Sequence, residues 1–166
     1  MNQNDACRIE PHPAGRALEF IAYQWPATRG LGSDWPIAPG AVRIDATGQP
    51  ELLHFAPGRW LAPGPGPALA AFLEAAERAG AGTLVEVTGK WDRLDVYGID
   101  AGRVLASAIG IKAVLAERSC AAVTLFDCPA ILAGRGTKFL LWVQSSYTAD
   151  FMATATRVRA ALPPPD

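Results

Sequence analysis

Apolar and polar positions follow a recurrent pattern from residue 51 onward, in which alternating stretches precede a stretch with helical spacing. Residues 51–55 and 59–62 alternate on either side of a short turn, which is typical of two strands in a hairpin. Residues 67–79 begin with a proline suited to a first helical turn and are followed by Gly80, a residue typical of helix ends. One face of this helix is apolar and consists of Leu69, Phe72, Leu73 and Ala76. The stretch therefore predicts a unit of strand, strand and helix.

A second unit of the same kind is predicted downstream. Residues 83–88 and 93–97 alternate in polarity around a turn, and Asp100 is a good cap for a helix over residues 101–108. The apolar stripe of that helix consists of Val104, Leu105 and Ala108. We therefore expect a second hairpin followed by a helix.

The third predicted unit ends the pattern. Residues 120–126 form an apolar run suited to an interior strand, and residues 129–133 and 139–143 flank a glycine-containing turn. Ser145 or Ser146 is positioned to cap a final helix that runs from residue 147 to about residue 162. Its predicted inward face consists of Phe151, Met152, Ala155, Val158 and Leu162.

The three units together predict an α+β fold with antiparallel sheets and helices packed on them. Each unit has an apolar face that it cannot bury alone, so we expect one shared core. Residues 1–50 contain six prolines between residues 11 and 50, with short strands at 18–23 and 41–45. We expect a Pro-rich arm over residues 1–50 packed on the core, a domain over 51–162 and a frayed tail at 163–166.

Composition excludes several classes of protein. Half of the residues are hydrophobic, which rules out a wholly disordered chain, and a length of 166 residues fits one domain. The net charge of -1 gives no electrostatic attraction to nucleic acid or to an anionic membrane. The first five residues are polar, and no apolar stretch reaches the ~18 residues that a membrane span requires. We expect a cytoplasmic protein.

The residues with catalytic or metal-binding chemistry are few. Cys7, Cys120 and Cys128 lack metal-ligand spacing and are expected to be reduced and buried. The histidines, His12 and His54, lie in different regions and predict no metal site. The Pro-Gly run at residues 63–67 lacks the backbone N–H groups of a phosphate loop. Asp92 and Asp95 are best interpreted as a polar turn and a strand face. No catalytic set is predicted, although an independent hydrolase or transferase with an unrecognised site stays open.

Tryptophans supply the remaining signal, since five are present and three lie in or beside the predicted hairpins. Some of them belong to the core, while others are candidates for a protein interface or for stacking on a planar cofactor. Arginines beside these rings add a partner for negative charge. The candidate ligand or partner surface consists of Trp60, Trp91, Arg93 and Arg59.

Three segments carry a family resemblance. Residues 53–69, LHFAPGRWLAPGPGPAL, resemble a strand with an Arg-Trp-Leu centre, followed by a helix, in the gamma subunit of heterotetrameric sarcosine oxidase. Residues 82–115 resemble the next unit of that family, in which a strand ending in Gly precedes a helix beginning Asp-Ala. Residues 118–155 are similar to its closing unit, in which Ser-Tyr opens the last helix. Similar sequence occurs in the folate-binding aminomethyltransferase domain of the glycine cleavage system.

The resemblance implies an aminomethyltransferase-like fold and a structural, non-catalytic gamma-type subunit of an oxidoreductase acting on CH–NH donors. Such an assembly demethylates sarcosine to glycine, passing electrons to oxygen and the one-carbon unit to tetrahydrofolate. Its FAD, FMN, NAD and tetrahydrofolate would be bound by larger alpha and beta subunits and not by this chain. Among acidic residues that could contact a pterin, Glu86 and Asp92 are the nearest candidates by element. The alternative is a stand-alone aminomethyltransferase-like module that itself binds a folate or a similar planar molecule.

Overall fold

The computed structural model describes residues 7–13, 15–23, 35, 38–109, 118–135 and 138–163. Its strands are β1 (Arg8–His12), β2 (Ala17–Ala22), β3 (Val42–Ile44), β4 (Pro50–Ala56), β5 (Arg59–Pro63), β6 (Gly82–Glu86), β7 (Trp91–Tyr97), β8 (Cys120–Leu125), β9 (Cys128–Arg135) and β10 (Lys138–Gln144). Its helices are α1 (Pro67–Arg78), α2 (Ala101–Ile109) and α3 (Thr148–Ala161). The chain divides into two compact parts: subdomain 1 comprises residues 1–14, 90–117 and 122–166, and subdomain 2 comprises residues 15–89 and 118–121.

Subdomain 1 contains a five-stranded sheet in the order β1-β7-β10-β9-β8. Strand β7 pairs antiparallel with both β1 and β10, and β10 pairs antiparallel with β9. Alternate residues of these strands pack with α2 and α3 because side chains alternate across a sheet. The largest buried members of this core are Leu94, Leu105, Leu125, Leu132, Leu141 and Phe151.

Subdomain 2 contains a second five-stranded sheet, in the order β3-β4-β5-β2-β6, with antiparallel pairing throughout. Helix α1 packs on one face of it through the predicted apolar stripe, of which Leu69, Leu73 and Ala76 are buried. The core beneath the helix is aromatic and includes Phe20, Trp35 and Trp60. Subdomain 2 therefore has a hydrophobic core of its own.

The α+β class is confirmed, with two antiparallel sheets and three helices in the described part of the chain. The first predicted hairpin is present as β4 and β5. The second is wrong, because β6 pairs with β2 while β7 lies between β1 and β10 in the other sheet. The single shared core is also wrong, since the buried apolar residues form two separate clusters. Alternation identified these strands correctly but does not specify their partners.

The predicted N-terminal arm is replaced by three strands of the two sheets. Strand β1 forms an edge of the sheet in subdomain 1, whereas β2 is an interior strand of the sheet in subdomain 2. The predicted boundary at residue 50 therefore does not separate an arm from a domain. Of the predicted tail, residues 164–166 lie outside the described residues.

Helix α3 begins differently from the prediction. A 3-10 turn at Ser145–Tyr147 precedes it, and Tyr147, which is at the N-cap position, forms no side-chain cap hydrogen bond in the described structure. Instead, the Thr148 hydroxyl donates a hydrogen bond of 2.7 Å to the carboxylate of Asp92. The inward face is as predicted, with Phe151 and Ala155 buried and the other three residues partly buried against the core of subdomain 1.

Candidate functional site

Trp60 lies in the core of subdomain 2 and not on a surface. Its ring is 0% exposed and packs 5.1 Å from the Trp35 ring and 6.0 Å from the Phe20 ring, between ring centroids. The prediction that Trp60 contributes to a ligand or partner surface is therefore wrong. A large aromatic ring inside a sheet–helix core stabilises the fold by burying apolar area.

Arg59 precedes Trp60 on β5 and projects from the opposite face of the sheet, as alternation requires. Its Nε donates a hydrogen bond of 2.8 Å to Oε1 of Glu19, and its Nη2 contacts the same oxygen. The guanidinium also lies 5.2 Å from the centre of the Phe55 ring. The Glu19 side chain is buried, whereas 44% of the Arg59 side chain is exposed. Arg59 therefore neutralises a buried carboxylate while it presents part of its cationic group to solvent.

Apolar side chains lie around Arg59 on the same face of the sheet. Ile21 is directly opposite Arg59 on one side and Thr83 on the other. Tyr23, 66% exposed, exchanges a hydrogen bond of 2.7 Å with the Thr83 hydroxyl. Val85, two residues further along β6, is 39% exposed. We call this region the Arg59 surface, and it consists of Ile21, Tyr23, Arg59, Thr83 and Val85, with the Phe55 ring buried beside Arg59.

Trp91 and Arg93 lie on one face of β7 in subdomain 1. Arg93 donates from Nε to Asp95 Oδ1 over 3.0 Å, and its guanidinium lies 6.0 Å from the centre of the Trp142 ring. The Lys90 ammonium lies 5.4 Å from the centre of the Trp91 ring. The structure thus brings Trp91 and Arg93 to one strand face, while Arg59 and Trp60 occupy opposite faces of a strand in the other subdomain.

The acidic residues considered for a pterin contact are held by neighbouring side chains. Glu86 forms an ion pair of 3.6 Å with Arg16, and Asp92 accepts the hydrogen bond from Thr148. In the described residues no group of histidine, cysteine and acidic side chains has the arrangement of a metal site. Nor does any helix there have the length and apolarity needed to cross a membrane.

The cysteines are small buried residues, as predicted. Cys7, Cys120 and Cys128 are free and buried. Burial raises the pKa of the Cys120 thiol to about 12 and also raises the pKa values of the Cys7 and Cys128 thiols. Thiols with raised pKa values are poor nucleophiles at neutral pH because only the thiolate reacts.

The sequence analysis did not predict that Glu19 and His54 are buried. Each interrupts an apolar strand, Glu19 within Ala17–Ala22 and His54 within Pro50–Ala56. An ionisable residue between two large apolar neighbours, Leu18 and Phe20 for Glu19 and Leu53 and Phe55 for His54, was the signal that could have revealed them. Both are buried: the Glu19 carboxylate accepts a hydrogen bond from Arg59, and the His54 ring packs against the Trp60 ring.

The fold is an α+β arrangement of two five-stranded antiparallel sheets with three helices in the described residues. No protein-family model and no curated protein sequence matches this chain. A chain of the heterotetrameric sarcosine oxidase from Corynebacterium sp. U-96, in complex with pyrrole 2-carboxylate, has the same fold, with a TM-score of 0.79 and 20% identity. The alignment covers 98% of this chain and 88% of that chain. The regulatory subunit of aspartate kinase from Thermus thermophilus gives a TM-score of 0.45 at 8% identity, over 91% of this chain and 97% of that one.

Proposed function

We propose that this chain is a non-catalytic, gamma-type subunit of a sarcosine oxidase-like heterotetrameric flavoenzyme. The observation that carries the proposal is the fold likeness to a chain of heterotetrameric sarcosine oxidase, which extends over nearly all of both chains. The sequence resemblance of residues 53–69, 82–115 and 118–155 to the gamma subunit supports the same assignment.

In the proposed assembly, the larger alpha and beta subunits bind FAD, FMN, NAD and tetrahydrofolate. They carry out the oxidative demethylation of sarcosine to glycine. The two candidate arginines each form an ion pair with a carboxylate of this chain, Arg59 with Glu19 and Arg93 with Asp95. Such pairing supports a structural use of these side chains.

The Arg59 surface is the proposed contact with a larger subunit. It combines an exposed tyrosine, an exposed valine and the partly exposed guanidinium on one face of a sheet. Tyrosine and arginine are enriched among the residues that dominate the binding energy of protein interfaces. Glu19 holds the Arg59 guanidinium through Nε and Nη2, so little conformational entropy is lost when a partner contacts the exposed part of this group.

Co-expression with the flavin-bearing alpha and beta chains of a heterotetrameric sarcosine oxidase from the same organism tests the proposal. We expect the full chain to elute with them as one complex that has the visible absorbance of flavin, while the isolated chain has none. Tyr23→Ala should weaken the complex measurably, whereas Ile99→Ala, at a residue 67% exposed in subdomain 1, should leave it intact. A chain that elutes separately from those subunits contradicts the proposal.

Two of the residues suggested for a folate-binding module are engaged within the fold. Trp60 is fully buried in a core and has no face available for stacking, and Arg93 is held by Asp95. We therefore derive no step through folate on this chain. Titration of its tryptophan fluorescence with tetrahydrofolate should give no saturable quenching, and a saturable response would favour the stand-alone module instead.

A further inference from the structure

Strand β6 forms an edge of the sheet in subdomain 2, and its hydrogen-bonding groups alternate between β2 and the outside. The Val87 amide donates to the Ala17 carbonyl, and Thr83 and Val85 have the same parity as Val87. In an antiparallel ladder, groups of the intervening residues point away from the partner strand. Gly82, Leu84 and Glu86 therefore direct their backbone groups outward.

A side chain of α1 occupies this edge. The Leu84 amide donates a hydrogen bond of 2.7 Å to Oε1 of Glu77, the second-last residue of the helix. The opposite edge of the sheet is covered by backbone, since Val42 and Cys120 form hydrogen bonds with Arg118 and Gly40, respectively. The exposed carboxylate of Glu77 thus occupies the outward amide of Leu84 at the β6 edge.

We propose that the outward edge of β6 is a pairing surface for β6 of a second copy of this chain, and that Glu77 keeps it closed. Antiparallel pairing about a twofold axis at Leu84 sets Leu84 opposite Leu84 of the second copy. Gly82 then lies opposite Glu86, and the outward backbone groups of all three residues find partners.

The side chains favour this register over its alternatives. Centring the axis on Glu86 would place two like charges opposite each other, and centring it on Gly82 would leave Glu86 outside the ladder. With the axis on Leu84, Val85 lies opposite Thr83 of the second copy. It is then also close to Tyr23 of that copy, which is hydrogen-bonded to this threonine. Two exposed apolar side chains, Tyr23 and Val85, would then lose contact with water.

The hydrogen bond between Glu77 and the Leu84 amide must break before another strand can pair with β6. The carboxylate therefore protects this edge against pairing. Natural sheets commonly protect their edges with charged side chains against such pairing. Glu77 is exposed and lies near the C-terminal end of α1, where a negative charge does not favour the helix dipole. Because this charge does not stabilise the helix end, the structural role that we assign to Glu77 is its hydrogen bond with the Leu84 amide.

Sedimentation equilibrium of the full chain over a range of concentrations tests this inference. We expect the wild-type chain to be monomeric and Glu77→Ala to form dimers. Glu77→Gln keeps an acceptor oxygen for the Leu84 amide and should remain monomeric. Glu74→Ala removes a charge from an exposed position of the same helix and should also remain monomeric.

Amide hydrogen exchange locates the contact. In the Glu77→Ala dimer, a peptide covering residues 82–88 should exchange more slowly as the concentration rises, while a peptide from the covered β3 edge should not change. A monomeric Glu77→Ala variant, a dimeric wild-type chain, or dimers of the variant without added protection at residues 82–88 would each overturn the inference.

Discussion

His54 and Trp60 are directly opposite each other on β4 and β5, and their rings are stacked within the core of subdomain 2. The ring centroids are 4.4 Å apart with an angle of 16° between the planes, and both residues are fully buried. Cross-strand pairs of this kind contribute to the stability of a sheet beyond the apolar area that they bury. The pair joins the two strands of the hairpin to the aromatic cluster beneath α1.

Replacing Trp60 should therefore affect the stability of the fold strongly. We expect Trp60→Ala to lower the free energy of unfolding by ~3–5 kcal/mol, because it leaves a cavity beside His54, Trp35 and Phe20. Trp60→Phe keeps an aromatic ring and should lose less. Urea unfolding followed by circular dichroism measures both changes, and a loss below about 1 kcal/mol for Trp60→Ala would mean that the ring is not part of a packed core.

Gly82 provides a second test of the packing in subdomain 2. A Cβ atom on this residue would lie 2.3 Å from the Ile21 carbonyl oxygen and 2.7 Å from Cζ of Phe20, so Gly82→Ala requires the β2–β6 pairing to move. We expect a loss of ~1–3 kcal/mol in the free energy of unfolding. Gly15→Ala is the matched control, because no atom lies within 4 Å of its added Cβ. Equal unfolding midpoints for the two variants would contradict this close approach.

The sequence predicts most elements here but fewer of their pairings. Alternation located β6 and β7 and the short turn between them, which suggested a hairpin. Strand β6 instead pairs with β2, a strand predicted at residues 18–23. Strand β7 pairs with β10 and with β1, a short strand containing Pro11 that was not predicted. Local periodicity contains no information on such distant pairing, so the division into two sheets could not be predicted.

The candidate surface shows the same limit. Alternation requires Arg59 and Trp60 to face opposite sides of β5, yet it does not reveal which side meets α1. The Arg59 ion pair depends on Glu19, which is forty residues away in the sequence. Residue type alone made Trp60 as suitable a surface residue as Arg59, and only the packing of the sheet distinguishes them.

The hairpin between β8 and β9 contains strain that a substitution can remove. Its two loop residues, Phe126 and Asp127, have φ values of 51° and 63°. Turns of this kind favour glycine, since other L-residues adopt positive φ at a cost. We expect Asp127→Gly to raise the free energy of unfolding by ~0.5–1 kcal/mol.

Phe126→Gly is the matched comparison, because it relieves similar strain but removes a ring whose centroid lies 5.7 Å from that of Phe151. That variant should be less stable than the wild-type chain. Thermal unfolding of both variants separates strain from packing. If Asp127→Gly lowered the melting temperature, the positive φ at this position would not be a source of strain.

Cys120 makes stability depend on pH in the alkaline range. Burial raises the pKa of its thiol from 9.0 to about 12 in the folded chain. Between these values the folded state holds a proton that the unfolded state has lost. Its stabilising contribution is therefore complete below pH 9.0 and is lost as the pH rises towards 12, at up to ~1.4 kcal/mol per pH unit.

Cys120→Ala removes the titration of this thiol. Comparing the variant with the wild-type chain therefore separates the contribution of Cys120 from those of tyrosine, lysine and the other cysteines. The alanine also leaves a small cavity, but its effect on stability is the same at every pH. We expect the stability difference between wild type and variant to shrink by about 2 kcal/mol between neutral pH and about pH 10.5. Urea unfolding at the two pH values measures it. A difference that stays constant would mean that the Cys120 thiol ionises as readily in the folded chain as in the unfolded one, and that β8 does not bury it.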